Sequence, residues 1–138
     1  MTVGRTLRYV DSSAEASRDA TDVLNRALAG QRDAVAGTFA QVVHRSGISG
    51  AYDVAWQLAA ATVGNDLPSG AWRLEYPDID RAPYEKRWVA RFLSAYVNDD
   101  PFTGTALFQA AQADGQLTDC LLTLAGSAAA TLRMREHQ

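Results

Sequence analysis

Cysteine, histidine and lysine are nearly absent from this chain, and each scarcity closes off a class of function. One cysteine, Cys120, cannot form an intramolecular disulfide, so a stapled secreted scaffold is excluded and nothing calls for an oxidising compartment. The two histidines, His44 and His137, stand at no metal-ligand spacing from Cys120, and no metal or other cofactor is expected. Of the 13 basic residues only Lys86 is lysine, which together with frequent alanine points to a GC-rich bacterial genome. A net charge of −3 gives no general attraction for a phosphate backbone or an anionic bilayer, so neither nucleic acid nor membrane is an expected partner. Met1 to Val10 carries Arg5 and Arg8 but no apolar signal-peptide core. The apolar runs at 51–63 and 117–132 are interrupted by Asp53, Gln57, Asp119, Thr123 and Ser127, against a membrane span. The cytoplasm is the expected address.

With 4 prolines and 10 glycines in 138 residues, the chain is neither disordered nor fibrous, and its 47% hydrophobic content supports one ordinary core. The expectation is a single helical domain over 1–138, with an N-terminal arm at 1–11 and a long connection at 64–82. Leu7 and Tyr9 alternate with Arg8, giving that arm the character of a short strand. Ser12 and Glu15 have capping-box spacing, and a helix is expected to begin there. From that point Ala20, Leu24, Ala27, Leu28, Val35, Phe39, Val42 and Val43 recur at helical spacing opposite Arg18, Asp22, Arg26 and Asp33. One long helix weakened at Gly30 is favoured over two, with its end at Arg45 and Gly47.

Ala51 to Val63 is apolar round most of its circumference, as the most buried helix of a bundle should be, and Gly64 ends it. Pro68, Gly70 and Pro77 then make a long helix-poor connection, in which Trp72, Leu74 and Tyr76 alternate with Arg73 and Glu75 like a strand. That strand is a candidate to pair with the N-terminal arm. Asp80 and Pro83 signal a new helix with Trp88, Val89, Phe92, Leu93 and Tyr96 inward; Asp100 and Pro101 signal another, with Phe102, Ala106, Leu107 and Ala110 inward until Gly115. A last helix over about 117–135 presents Leu121, Leu124, Ala128 and Leu132, has a small-sided middle, and places Arg133 and Arg135 beside its own negative end. The expected core is Leu24, Phe39, Val54, Leu58, Trp88, Phe92, Leu107, Leu121 and Leu124.

No catalytic constellation accompanies this pattern. Cys120 lies among leucines without a cation to stabilise a thiolate, and there is no nucleophile-elbow serine or phosphate-cradling loop. Val42-Val43-His44-Arg45-Ser46-Gly47-Ile48-Ser49 resembles the corner of a helix-turn-helix, which would imply a DNA-reading helix from Ala51. That helix contains Asp53 and neither lysine nor arginine, so an ordinary corner is preferred and a transcriptional regulator ranks last.

The residues put forward for ligand or partner binding are Trp72, Tyr76, Asp78, Asp80, Arg81, Tyr84 and Arg87, because aromatics and arginine dominate interface energetics and the carboxylates could hold a polar ligand. The fold expected is an all-α bundle of about five helices, with at most a short N-terminal strand or ribbon. The function expected is non-enzymatic protein–protein interaction, with another protein or with a second copy as a homodimer. A small-molecule-binding protein or enzyme with a polar-aromatic pocket near 72–87 is the alternative.

Overall fold

The computed structural model describes residues 2–64 and 81–136, with side chains over 14–64 and 81–135. These residues form five helices and no strand: α1 (Thr2–Leu28), α2 (Arg32–Val63), α3 (Tyr84–Val97), α4 (Pro101–Ala113) and α5 (Leu117–Glu136). The fold is thus an all-α bundle. The strand expected at the N-terminus is absent, since residues 2–10 are the first turns of α1 and the Ser12–Glu15 capping signal lies inside it. A helix propagates by one hydrogen bond per residue fixed, and two alternating side chains are too weak a pattern to stop it. The ribbon proposed with Trp72 to Tyr76 falls outside the described residues.

Gly30 divides what was expected as one long helix. It adopts φ 74°, and Gln31 N–H donates back to the Arg26 carbonyl at 2.9 Å while Gly30 N–H donates to that of Ala27 at 3.0 Å. This left-handed closure satisfies carbonyls that a helix end leaves orphaned, and it reverses the chain so that α2 packs back along α1. Asp99, φ 52°, does the same work between α3 and α4, with Asp100 N–H bonded to the Ala95 carbonyl at 2.9 Å. Aspartate is among the few residues that tolerate this conformation. The expected break after Arg45 is a kink inside α2, where Gly47 alone leaves helical geometry at φ 74°, ψ −173°.

Start signals fare unevenly. Asp100 caps α4 by accepting from Thr103 N–H at 3.1 Å, with Pro101 following, as the sequence indicates. At α3 the cap position is held by Pro83 with no side-chain bond, where Pro83 was expected inside the first turn after a cap at Asp80, and Asp80 lies outside the described residues.

One cluster of buried side chains draws on all five helices. Of the expected core, Phe39, Val54, Leu58, Trp88, Phe92, Leu121 and Leu124 are buried, whereas Leu24 and Leu107 are only partly so. Val23, Val42, Phe108 and Cys120 join them. An aromatic assembly links α2, α3 and α4: Tyr52 stacks on Trp56 at 5.6 Å between centroids, Trp88 stacks on Phe92 at 4.7 Å, and Phe108 meets Tyr52 edge-on at 5.5 Å. Two of these rings have their polar ends paired, Tyr52 Oη donating to the Pro101 carbonyl at 3.2 Å and Trp88 Nε1 to that of Leu107 at 2.9 Å.

The arginines near the end of α5 serve other helices as well. Arg135 donates to the carbonyls of Ala61 at 3.1 Å and of Thr62 and Val63 at 3.2 Å, and Arg133 donates to that of Leu28. The C-terminal ends of α1 and α2 are both capped from α5, where the carbonyl dipoles favour positive charge.

Candidate functional site

Four of the residues singled out in the sequence, Trp72, Tyr76, Asp78 and Asp80, lie outside the described residues. Arg81 is exposed just before α3, and Tyr84 and Arg87 stand one turn apart in its first half. The structure brings Tyr84 together with a partner the sequence did not suggest. Its Oη donates to Asp114 Oδ2 at 2.7 Å, across the end of α4. That bond holds the phenol proton against the carboxylate and, with burial adding to it, pushes the Tyr84 pKa up to about 12. Arg87 Nε is buried without a hydrogen-bond partner among the described residues. Cys120 lies nearby, fully buried, and burial followed by the charges of Glu85 and Asp119 pushes its thiol up to about 12. A thiol held neutral in this way is a packing group and a poor nucleophile.

Two small clefts lie elsewhere. One, of about 90 Å³, sits beside the Gly47 kink between α1 and α2 and is lined by Glu15, Asp19, Ser46, Ser49 and Asp53. Arg45 pairs with two of these carboxylates, Glu15 at 2.5 Å and Asp19. Burial raises the Asp53 pKa, the sign expected for a carboxylate without a cation. No grouping of three or more His, Cys, Asp or Glu among the described residues is suited to hold a metal. The second cleft, about 140 Å³, lies at the Gly30 turn against α5, lined by Ala27, Val35, Leu122 and Ala125 among others. The helix after the kink, where a helix-turn-helix protein would present its reading face, buries Ala51, Val54, Ala55, Leu58 and Ala59.

The most distinctive surface is on α4, and it reverses an expectation. Phe102, Ala106 and Ala110 were expected inward; instead Gly104, Phe108 and Ala111 are buried, Leu107 is half-buried, and the other three face solvent. The cause is Gly104. A Cβ there would lie 2.8 Å from Tyr52 Oη and 3.0 Å from Trp56 Cζ3, so the backbone of α4 rests directly on the α2 rings. Glycine contributes nothing to a hydrophobic stripe, which is why periodicity chose the opposite side.

The consequence is a helix of 13 residues, PFTGTALFQAAQA, with no ionisable side chain on any face. Its solvent side carries Phe102, 86% exposed, with Ala106, Ala110 and Ala113, alongside the exposed but uncharged Thr103, Thr105, Gln109 and Gln112. At about 100° per residue, Phe102, Ala106 and Ala113 fall within about 40° of one another, with exposed Gln109 about 20° to the other side of Phe102. Asp99 and Asp100 precede the helix and Asp114 follows it, the last turned to Tyr84 of α3. The hydroxyl and then the backbone N–H of Thr103 lower the Asp100 pKa, keeping it ionised. Among the described residues none of the three is ion-paired.

No protein-family model, no curated protein and no solved structure matches this chain.

Proposed function

We propose that this chain is a non-enzymatic interaction protein that works through protein–protein contacts made by the outer face of α4. One observation carries the reading: a helix with no charge anywhere presents Phe102, Ala106, Ala110 and Ala113 to solvent. Solvent-facing sides of globular helices are normally marked by charge, as Arg18 and Asp22 mark α1 and Lys86 and Arg91 mark α3. A helix without charge, whose exposed side sets Phe102 and three alanines among threonines and glutamines, offers a partner a surface with little to desolvate. The inert Cys120 thiol supports a non-catalytic role, and the burial of the helix after Gly47 argues against DNA reading. The chain is further taken to be a cytoplasmic bacterial protein, on the strength of its single cysteine and its preference for arginine over lysine.

A photo-crosslinking side chain at Ala106 tests this in cells of the source. A discrete adduct from position 106, lost in Phe102→Ser and absent when the probe sits at exposed Asp33, is the expected result. A mass of two chains would identify a homodimer, and any other mass a different protein. Identical smears from both positions would refute the reading.

The alternative, a small-ligand site near Tyr84, draws on Arg87 Nε, a buried donor that an acidic ligand group could satisfy. Its test is a thermal shift with small carboxylates and phosphates that Arg87→Met removes.

A further inference from the structure

We propose that Gly47 is a hinge on which two copies of this chain exchange their N-terminal hairpins, α1 with residues 32–46, as α2 straightens into one continuous helix. Gly47 is the only residue of the 32 in α2 outside helical geometry, so turning this one position from φ 74°, ψ −173° to helical values joins the two halves. The resulting helix is about 48 Å long at 1.5 Å per residue, which carries the hairpin away from its own body and within reach of another. The exchange is independent of the outer face of α4.

The hairpin is held together within itself. Its closed end is the Gly30 turn, its open end is tied by Arg45 to Glu15 and Asp19, and between them Thr38 Oγ1 donates to Asp22 at 3.3 Å. The other half of α2 belongs to the body, fixed by Tyr52 and Trp56 against the rings of Phe92 and Phe108. Among the described residues only two side-chain polar contacts pass between hairpin and body, Arg133 to the Leu28 carbonyl and Arg32 to Asp119 at 3.9 Å. Both would re-form between copies, together with the burial of Val23 and Val35 in the common core, because the exchanged element is identical to the one it replaces.

The corner itself is inexpensive to open. Its inside is lined mainly by Glu15, Asp19, Ser46, Ser49 and Asp53, so a straight α2 brings hydroxyls and carboxylates to water and moves Asp53 away from two like charges. Gly50 is the second glycine of the corner: a Cβ there would lie 2.5 Å from Ser46 Cβ, whereas residues four apart in a straight helix keep about 5–6 Å between Cβ atoms. Alanine at position 50 is therefore strained in the bent form and unstrained in the straight one. Alanine at position 47 would meet no atom within 4 Å, yet its backbone would stand at φ 74°, ψ −173°, a region nearly restricted to glycine. The same two glycines weaken a continuous helix, which keeps the natural chain bent.

Sedimentation of the refolded chain and its variants provides the test. A strain worth about tenfold in population at each hinge counts twice in a dimer, so Gly47→Ala and Gly50→Ala are each expected to tighten dimerisation roughly a hundredfold over the natural chain. Gly37→Ala, at an exposed helical position with nothing within 4 Å, is expected to leave dimerisation unchanged. To identify exchange, chains carrying Arg32→Cys are refolded together with chains carrying Asp119→Cys, both in the Gly50→Ala background, and treated with a short bis-maleimide from which buried Cys120 is shielded. A linked pair of unlike chains is expected in the dimer fraction, since only an exchanged hairpin sets position 32 of one chain beside position 119 of the other. Monomeric Gly47→Ala and Gly50→Ala would overturn the inference, as would a dimer that yields no linked pair or one that Gly37→Ala promotes equally. Should neither hinge variant fold, the same two cysteine substitutions in the natural chain, refolded at high concentration, decide the matter: a linked pair is expected, and its absence would overturn the inference.

Discussion

Adding the same methyl group at two glycines should move stability in opposite directions. Gly104 and Gly126 both lie within helices, where alanine is favoured over glycine by about 1 kcal/mol. At Gly126 a Cβ would meet nothing within 4 Å, so Gly126→Ala should keep that gain and raise stability by about 1 kcal/mol. At Gly104 the new methyl would stand 2.8 Å from Tyr52 Oη and 3.0 Å from Trp56 Cζ3. Neither ring can yield freely: Tyr52 is stacked on Trp56, edge-on to Phe92 and Phe108, and held by its bond to the Pro101 carbonyl. Overpacking of this kind costs about 1–3 kcal/mol, which offsets the helical gain and leaves Gly104→Ala less stable by up to about 2 kcal/mol. At this chain length 1 kcal/mol moves Tm by about 3–4 °C, so thermal unfolding followed by circular dichroism should separate the two variants by roughly 3–12 °C. Equal stabilisation by both would mean that α4 does not rest on those rings. The orientation that turns Phe102 outward would then fall with it.

Arg135→Met should destabilise by about 1 kcal/mol in urea unfolding, because it uncaps the last carbonyls of α2, whereas Arg91→Met, which removes no hydrogen bond among the described residues, should stay within about 0.5 kcal/mol. Cys120 should resist aromatic disulfide reagents in the native protein and react only as the chain unfolds; fast native labelling would contradict its complete burial. Tyr84 keeps its proton in the native state from its ordinary pKa of 10.0 up to about 12, so its contribution to stability is intact below pH 10 and declines as pH rises through that interval. Tyr84→Phe should remove that part of the alkaline loss, and an unchanged alkaline unfolding curve would show that the Asp114 bond contributes nothing.

Much of the fold was legible because most helices advertise two unlike sides. In α3, Trp88, Val89, Phe92 and Leu93 stand opposite Lys86 and Arg91, and the structure buries the former and exposes the latter. Ala51 to Leu58 was readable for another reason, since apolar residues round most of its circumference leave only the side of Asp53 and Gln57 for solvent. The same rule misled at α4, where phenylalanine and alanine on one side competed with phenylalanine and glycine on the other. Volume decided the matter: Gly104 admits the α2 rings, and no hydrophobicity scale scores the absence of a side chain. The N-terminal segment failed for want of contrast, since Leu7 and Tyr9 alone cannot outweigh the continuation of a helix. Tyr84 and Arg87 were found from residue type alone, but the partner that engages Tyr84, Asp114, lies 30 positions away and left no trace in spacing. The outward face of α4 could have been suspected from one signal, the lack of any charge between Asp100 and Asp114.

The two arginines near the end of α5 also carry a consequence for the order of events on the ribosome. Leu28 and Val63 leave the exit tunnel long before Arg133 and Arg135, so the trailing ends of α1 and α2 spend most of translation without the donors that finish them. A nascent chain halted at residue 116 would hold the α1 and α2 hairpin with both of those ends still open to water, and its final closure waits for the last of the five helices to emerge.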